Sequence, residues 1–367
     1  MRRLGQLASL PLQRQVTWGV SQSSKVLLGQ RRFLAVSAAQ VKELRDRTGA
    51  SMGKPLPQNC HRPQHWCYLS CENRCREALK EEGDLEKAVV WLKKRGLRSM
   101  EKRAADSDEA LLSLGLAEAG AIVELRAETD FVTRSEVFQQ TLRHLAHMMA
   151  ASPDAAKDQA LDMTIPDGPE RPAQLRAGAT LSEALLELGS VLGEKLVLGN
   201  VHVLSPRPGG IVAGYVHPKS ADSMRGTGRM AGLVSVRSPD SHSSADGFRA
   251  MASRLARHIV AAQPRFLDID RIPVETLRKE REVFKAAHLA QLNPRMSGTI
   301  DDKVLQKVLD GKTMKFYQEC VLLCQELVMP QVSSDKKVLP VAEWLEAEAR
   351  ELGVSRILVE DFKLAVL

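Results

Sequence analysis

The chain has 367 residues, 44% apolar and only 4% aromatic, with a formal net charge of +7. That length allows two domains or a domain with satellites, and no run approaches 18 uninterrupted apolar residues, which argues against a membrane span. Arg2, Arg3, Arg14, Lys25, Arg31 and Arg32 fall in an opening stretch without any acid; the nearly neutral, aromatic-poor remainder argues against nucleic acid as a main partner.

Residues 1–39 are Arg-bearing, rich in Ser and Gln, and lack the apolar core of a secretory signal. They read as an organellar presequence of the mitochondrial kind, which would deliver the mature chain to the matrix; a disordered basic tail is the plainer alternative. Six cysteines in so long a chain do not suggest a disulfide framework. Cys320 and Cys324, four apart in a helical pattern, read as small buried hydrophobes.

Val41 to Ala50 predicts a short helix stopped by Gly49, and Arg74 to Gly83 a second stopped by Gly83. Asp84 is placed to cap a third, running to Gly96 with Leu85, Ala88, Val89 and Leu92 on its inner face. Three such helices, spanning 40–98, make a very small bundle, marginal alone and typical of a docking module. Residues 54–73 look like an insertion between the first two helices. They carry Cys60, His61, His65, Cys67 and Cys71, with Cys75 just beyond, and a zinc site could draw its ligands from such a set. No Cys-x2-Cys pair occurs and the segment is proline-rich, so the preferred reading is an inert or disordered insertion, or one confined to an isoform, looped out without a metal.

Arg98 to Asp108 turns charged and small, as a linker does. Leu111–Leu116 and Ala121–Leu125 predict two strands of a hairpin around Glu118-Ala-Gly120. The second strand runs into Glu128, Thr129, Asp130 and Phe131, after which Val137, Thr141, Leu145 and Met148 recur at helical spacing. Thr133 or Ser135 could cap that helix. An acid and a large aromatic on such a corner can be pushed into another molecule as one rigid wedge. The bland alternative makes Phe131 a core residue and Asp130 a solvated turn acid. Ser152 to Pro172 is polar and rich in Pro and Gly, a loop.

Thr180 or Ser182 precedes a helix pattern of Leu185, Leu188, Val191 and Leu196, and Glu183, three after Thr180, completes a capping box. Val197–Leu204, Ile211–His217 and Arg229–Val236 predict strands, with a turn at Pro206–Gly210. His217 has no paired acid or second histidine nearby in sequence, so it reads as structural or contact-forming. Gly247–Ala262 is an amphipathic helix with the stripe Phe248, Met251, Leu255 and Ile259. Leu277–Leu292 predicts a charged helix with local ion pairs. Segments 304–309, 311–317 and 321–323 follow, then a helix stripe of Val338, Val341 and Leu345 and a terminal strand at Ile357–Val359.

Several of these segments together resemble the translation elongation factor Ts family. Glu128-Thr-Asp-Phe-Val132 after a strand resembles its second signature, with Arg126 and Ala127 departing from the usual residues. Leu44, Arg45, Thr48, Gly49 and Ala50, with Arg76, Ala78 and Leu79, match its amino-terminal ubiquitin-associated-like module. Tyr215, His217, Gly228 and Gly232 fit its later strand pair, and Lys315-Phe-Tyr317 its following helix, although Glu326 and Leu327 replace the usual Pro-Phe. The resemblance covers nearly everything from Val41 onward apart from 54–73. It implies guanine nucleotide exchange on elongation factor Tu, here the mitochondrial one, by protein contact without covalent chemistry. It also implies that Asp130 and Phe131 enter the partner near its magnesium site. Thr129, Val132, Leu44, Arg45, Thr48, Gly49, His217 and Gly228 would complete the contact residues.

No Gly-x4-Gly-Lys-Ser/Thr loop, Gly-x-Ser-x-Gly elbow, His-Glu-x-x-His or Gly-x-Gly-x-x-Gly is present. The chain is therefore expected to be no P-loop GTPase, to need no cofactor, and to bind neither membrane nor stable nucleic acid. A ribosome- or RNA-associated binding protein is the rival, and it would need a basic patch in the mature body. The expected fold is α+β: presequence 1–39, helical module 40–98, a core in two parts (99–205 and 206–330) of antiparallel strands and helices, and a short carboxy-terminal module, 331–367.

Overall fold

Two antiparallel sheets, laid face to face, each carry a long amphipathic helix on their outer side. The computed structural model describes residues 36–48, 65–103, 106–154, 157–218, 224–240, 245–291, 302–328 and 338–367. Three helices come first: α1 (Ala38–Thr48), α2 (His65–Glu82) and α3 (Leu85–Glu101). They close around Leu44, Ala78 and Ala88, all fully buried, with Val41, Cys75 and Leu79. Asp84 caps α3 as its side chain predicts, accepting the Lys87 N–H at 3.0 Å.

Strands β1 (Glu109–Leu116) and β2 (Gly120–Ala127) form the predicted hairpin, Leu111 opposite Leu125. Then come α4 (Asp130–Arg134), α5 (Glu136–Ala150), the single turn α6 (Lys157–Ala160) and α7 (Leu181–Leu192). Thr180, not Ser182, caps α7 through the Glu183 N–H at 3.2 Å, and Leu196 lies beyond the helix, which the left-handed Gly193 ends. β3 (Val197–Leu204), β4 (Gly210–His217), β5 (Thr227–Gly228) and β6 (Met230–Arg237) follow, then α8 (Ala245–Ala262), α9 (Val274–Gln291), α10 (Asp302–Cys320), α11 (Val341–Leu352) and β7 (Leu358–Val366). The first sheet has the order β3-β2-β1-β5 and the second β4-β6-β7.

Strand alternation sorts the core. Leu111, Val123 and Leu125 face Phe138, Leu142, Leu145 and Met149 of α5. Their neighbours Leu112 and Ile122 point the other way and meet Ala231, Leu233 and Ala365 of the second sheet. Val234 and Val236 turn outward from that sheet onto the α8 stripe of Phe248, Met251, Leu255 and Ile259, which Trp344 and Leu345 of α11 extend. Each such side chain, wholly removed from water, contributes about 1.5–3 kcal/mol, so the predicted stripes account for the layering.

The structure departs from the sequence expectations in several places. α2 begins at His65, inside the apparent insertion, because Pro55, Pro57 and Pro63 all precede it and nothing from His65 on breaks a helix. The rest of that insertion, 54–64, lies outside the described residues, as do 1–35. α3 does not stop at Gly96 but runs to Glu101. An interior glycine costs a helix only about 1 kcal/mol relative to alanine, and this one faces Ser190 of α7, where an added Cβ would lie 3.1 Å from the Ser190 Cβ. Hence the supposed linker starts as helix. Segments 304–309 and 311–317 belong to one helix, α10, which passes through Gly311. Val338 precedes α11 and is 41% exposed, so it is no part of that helix stripe. The terminal strand is longer than the Ile357–Val359 signal and pairs antiparallel with β6, Phe362 opposite Val234. Glu360, Asp361 and Lys363 obscured it by interrupting the apolar pattern; Glu360 is held by Arg237 Nε at 2.8 Å. Cys320 ends α10 and Cys324 lies beyond it, and both are only partly buried against Phe316 and Val321 rather than fully buried as expected; burial still pushes both thiols up.

Candidate functional site: a braced corner between β2 and α5

β2 ends at Ala127, and the chain turns through Glu128 and Thr129 into the five-residue α4. Thr129 is extended (φ −134°, ψ 155°) in the N-cap position, yet its hydroxyl makes no capping bond. It is committed elsewhere: Thr129 Oγ1 donates to Glu194 Oε1 at 2.6 Å, and Thr129 N to Glu194 Oε2 at 2.9 Å. Glu194 is 1% exposed and directly follows the left-handed Gly193 that ends α7. The preceding pair reciprocates, since Glu128 Oε1 accepts the Lys195 N–H at 2.8 Å. Arg103 grips the same carboxylate through Nε and Nη2, each at 2.7 Å, and donates from Nη1 to Gly193 O at 2.9 Å. Two-point charge-assisted contacts of this kind fix orientation as well as distance.

On this brace stand Asp130 and Phe131, the two residues expected to form a wedge. Phe131 is 62% exposed, so the bland reading of a core aromatic is wrong: α4 turns it outward while Val132 and Thr133 point inward and are buried. Asp130 carries its carboxylate on the same turn, 2.9 Å from Arg134 Nη2 across an exposed i,i+4 pair. Of the two candidate caps, Ser135 serves α5, its Oγ accepting the Phe138 N–H at 3.3 Å. The Thr133 hydroxyl instead donates to Asp130 O at 3.0 Å.

A second candidate region lies where β4 ends. The His217 ring is exposed, while its carbonyl accepts the Arg229 N–H at 3.3 Å. Gly228 is buried beneath it, and a Cβ there would sit 1.9 Å from His217 O, which only glycine avoids. Gly228 therefore shapes the region rather than presenting a side chain.

The elongation factor TS family model matches residues 128–352, starting at the corner itself. The chain is 32% identical over 325 residues to elongation factor Ts of Maricaulis maris, covering 87% of this chain and 88% of that protein. It is 31% identical over 337 residues to elongation factor Ts of Ehrlichia chaffeensis (91% and 99%) and 30% identical over 321 residues to that of Orientia tsutsugamushi (87% and 87%). The chain belongs to the elongation factor Ts family. Such factors act by protein–protein contact, without covalent chemistry of their own.

Among the elongation factor Ts positions singled out in the sequence, Thr129, Asp130, Phe131 and Val132 come together at the corner, and His217 and Gly228 sit at the β4–β5 junction. Leu44 is a fully buried core residue of α1, so it stabilises the three-helix cluster rather than offering a surface. Arg45 and Thr48 lie in the last turn of α1, and Gly49 is outside the described residues. Of the zinc candidates, Cys75 is buried among Leu44, Ala78 and Leu79; Cys67 and Cys71 fall within α2, and Cys60 lies outside the described residues. Among the described residues no group of three His, Cys, Asp or Glu could hold a metal ion, and no helix is long and apolar enough to cross a membrane.

Arg103 and Glu194 belong to this corner without a functional signal in the sequence: Arg103 lies in the charged stretch that reads as a linker, and Glu194 has no mark beyond following a glycine C-cap. Only a contact across 65 residues of chain gives Glu194 its role at the corner.

Proposed function

We propose that this protein is the guanine nucleotide exchange factor of a mitochondrial elongation factor Tu, promoting GDP release and regeneration of the GTP form. In this reading residues 1–39 direct it to the matrix, 40–98 act as a ubiquitin-associated-like docking module, 99–205 and 206–330 form the two-part core, and 331–367 the carboxy-terminal module. Family membership supports exchange on elongation factor Tu. The acid-free, basic start of the chain supports the organelle. One observation carries the mechanism: a largely exposed Phe131 beside Asp130 on a corner braced from behind.

GTPases hold nucleotide and Mg²⁺ through oxygen ligands and backbone amides. A factor that binds the nucleotide-free state better than the loaded state shifts the equilibrium toward release. The Asp130 carboxylate would disturb the water network around the metal, and Phe131 would fill a pocket and displace the backbone that holds it. A phenylalanine offers about 150–250 Å². With 62% of Phe131 exposed, burying the remainder at about 25 cal/mol per Å² is about 3 kcal/mol, or roughly a hundred-fold preference for the state that accommodates it.

The test is the release rate of labelled GDP from mitochondrial elongation factor Tu with this protein and with its Asp130→Ala/Phe131→Ala variant. Fast release, lost by roughly a hundred-fold in a folded variant, supports the reading. No acceleration by the folded parent chain would sink it. Fusing residues 1–39 to a reporter checks the address: a reporter left in the cytosol refutes the organellar part alone.

A further inference from the structure

The corner and the β4–β5 junction meet at one buried carboxamide. Gln139 lies one turn into α5, 2% exposed, between the fully buried Phe138 and Leu142 that anchor the helix to the first sheet. Its Nε2 donates to Arg134 O at 3.1 Å, taking up a carbonyl at the end of α4 that has no partner within so short a helix. Its Oε1 accepts the Met224 N–H at 2.7 Å and lies 3.2 Å from the Thr227 hydroxyl. A carbonyl only accepts and a backbone N–H only donates, so the amide can be seated one way round. The Met224–Gly228 strap it holds is also tied to β1 by the Ser113 hydroxyl, which donates to Gly226 O at 3.0 Å. That strap presses Gly228 against the His217 carbonyl.

We propose that Gln139 is a positioning residue that locks the Asp130–Phe131 corner to the Met224–Gly228 strap, so that Phe131 and His217 meet elongation factor Tu as one rigid surface. The proposal rests on the exchange reading given above. It goes further in assigning the coupling between two contact regions to a side chain that touches no partner. Without the joint each region still exists, but order at one no longer enforces order at the other.

The experiment uses the full chain and has two readouts. First, amide hydrogen exchange of the free protein compares the parent with Gln139→Met, which keeps the length but neither hydrogen bond. Exchange should quicken in 130–134 and 224–228 together, while Leu255 in α8 stays protected. Gln139→Glu, when ionised, still accepts from Met224 but cannot donate to Arg134 O, so it should loosen 130–134 and spare 224–228. A residue that merely filled space would not separate the two segments in this way. Second, Phe131→Ala and His217→Ala are combined in a double-mutant cycle on GDP release. They should be non-additive by about ten-fold in the parent and additive in Gln139→Met. Loosening of one segment or neither in Gln139→Met, or a coupling that survives it, overturns the proposal. Should Gln139→Met fail to fold, Gln139→Glu decides by the same segment comparison. Joint loosening in a chain that never accelerates release would leave the joint standing and remove the exchange reading.

Discussion

Replacing Glu194 tests whether the wedge is held from behind. Its carboxylate, 1% exposed, takes both the N–H and the O–H of Thr129. Glu194→Met keeps the length of the side chain and removes both acceptors. Leaving the Thr129 N–H without its partner costs about 1–3 kcal/mol, and losing the hydroxyl bond to a charged group adds a similar amount. Local relaxation toward water reduces the sum, so about 2–4 kcal/mol of stability should go. Glu194→Gln should cost less, about 1 kcal/mol, because a threonine hydroxyl can accept as well as donate and the amide can be seated with both contacts kept. Thr129→Val, which removes only the hydroxyl, should couple to Glu194→Met by about 1 kcal/mol in a double-mutant cycle.

Urea unfolding midpoints measure these values, and GDP release measures their consequence. Glu194→Met should slow exchange although Asp130 and Phe131 are untouched, and Glu194→Gln should retain most of it. Equal effects of the two substitutions, or additivity of Thr129→Val with Glu194→Met, would refute the brace. Parent-like release by a folded Glu194→Met variant would do the same.

Gly228→Ala drives a Cβ to within 1.9 Å of His217 O, backbone against backbone, and should cost about 3 kcal/mol in unfolding free energy by urea titration. Arg134→Ala breaks an exposed i,i+4 pair with Asp130 and should change stability by no more than about 0.5 kcal/mol in the same titration. Burial pulls the His258 ring below the ordinary histidine range, while its bond to Gln325 opposes this. The Val328 N–H donates to Nδ1 at 3.2 Å, so the ring is neutral with its proton on Nε2, facing Gln325 Oε1 at 3.1 Å. Because the folded state binds fewer protons than the unfolded one, stability is fully present above the unfolded value and is lost as pH falls below about 6.5. His144 and His202, lowered chiefly by burial, act in the same direction. Urea midpoints should therefore drop between pH 7.5 and 5.5, and His258→Gln should shrink that drop without abolishing it.

Local physics made much of this legible. The hairpin, the α8 stripe and the cap at Asp84 rest on spacing within a few residues and stand where the spacing puts them, and the caps at Ser135 and Thr180 are each one of two candidates that the spacing allows. What failed to show depended on distant partners. Gly96 looked like a stop because its tolerance inside α3 comes from the approach to Ser190 of α7. The charged β7 hid its pairing because its carboxylates are neutralised by Arg237 and Arg271, residues remote in sequence. At the site, Asp130 and Phe131 were visible as an unusual pair, but whether Phe131 faced the core or solvent was not. That choice is made by Val132 and Thr133, which turn inward on the same short helix.

The brace also decides whether such a wedge can work at all. If the six residues Thr129–Arg134 had to be ordered on meeting a partner, fixing their backbone would cost about 1–2 kcal/mol each. That total, about 6–12 kcal/mol, exceeds the roughly 3 kcal/mol available from burying the exposed part of Phe131. A flexible corner would spend its contact on becoming ordered and would have nothing left to displace a nucleotide. Glu128 with Arg103, Glu194 with Thr129, and Val132 and Thr133 in the core impose that order during folding. Phe131 can then remain in water, because a single exposed aromatic is too small a patch to drive aggregation. In the proposed exchange reading, the hydrogen bonds behind the corner thus set how much of its binding energy could act on the partner.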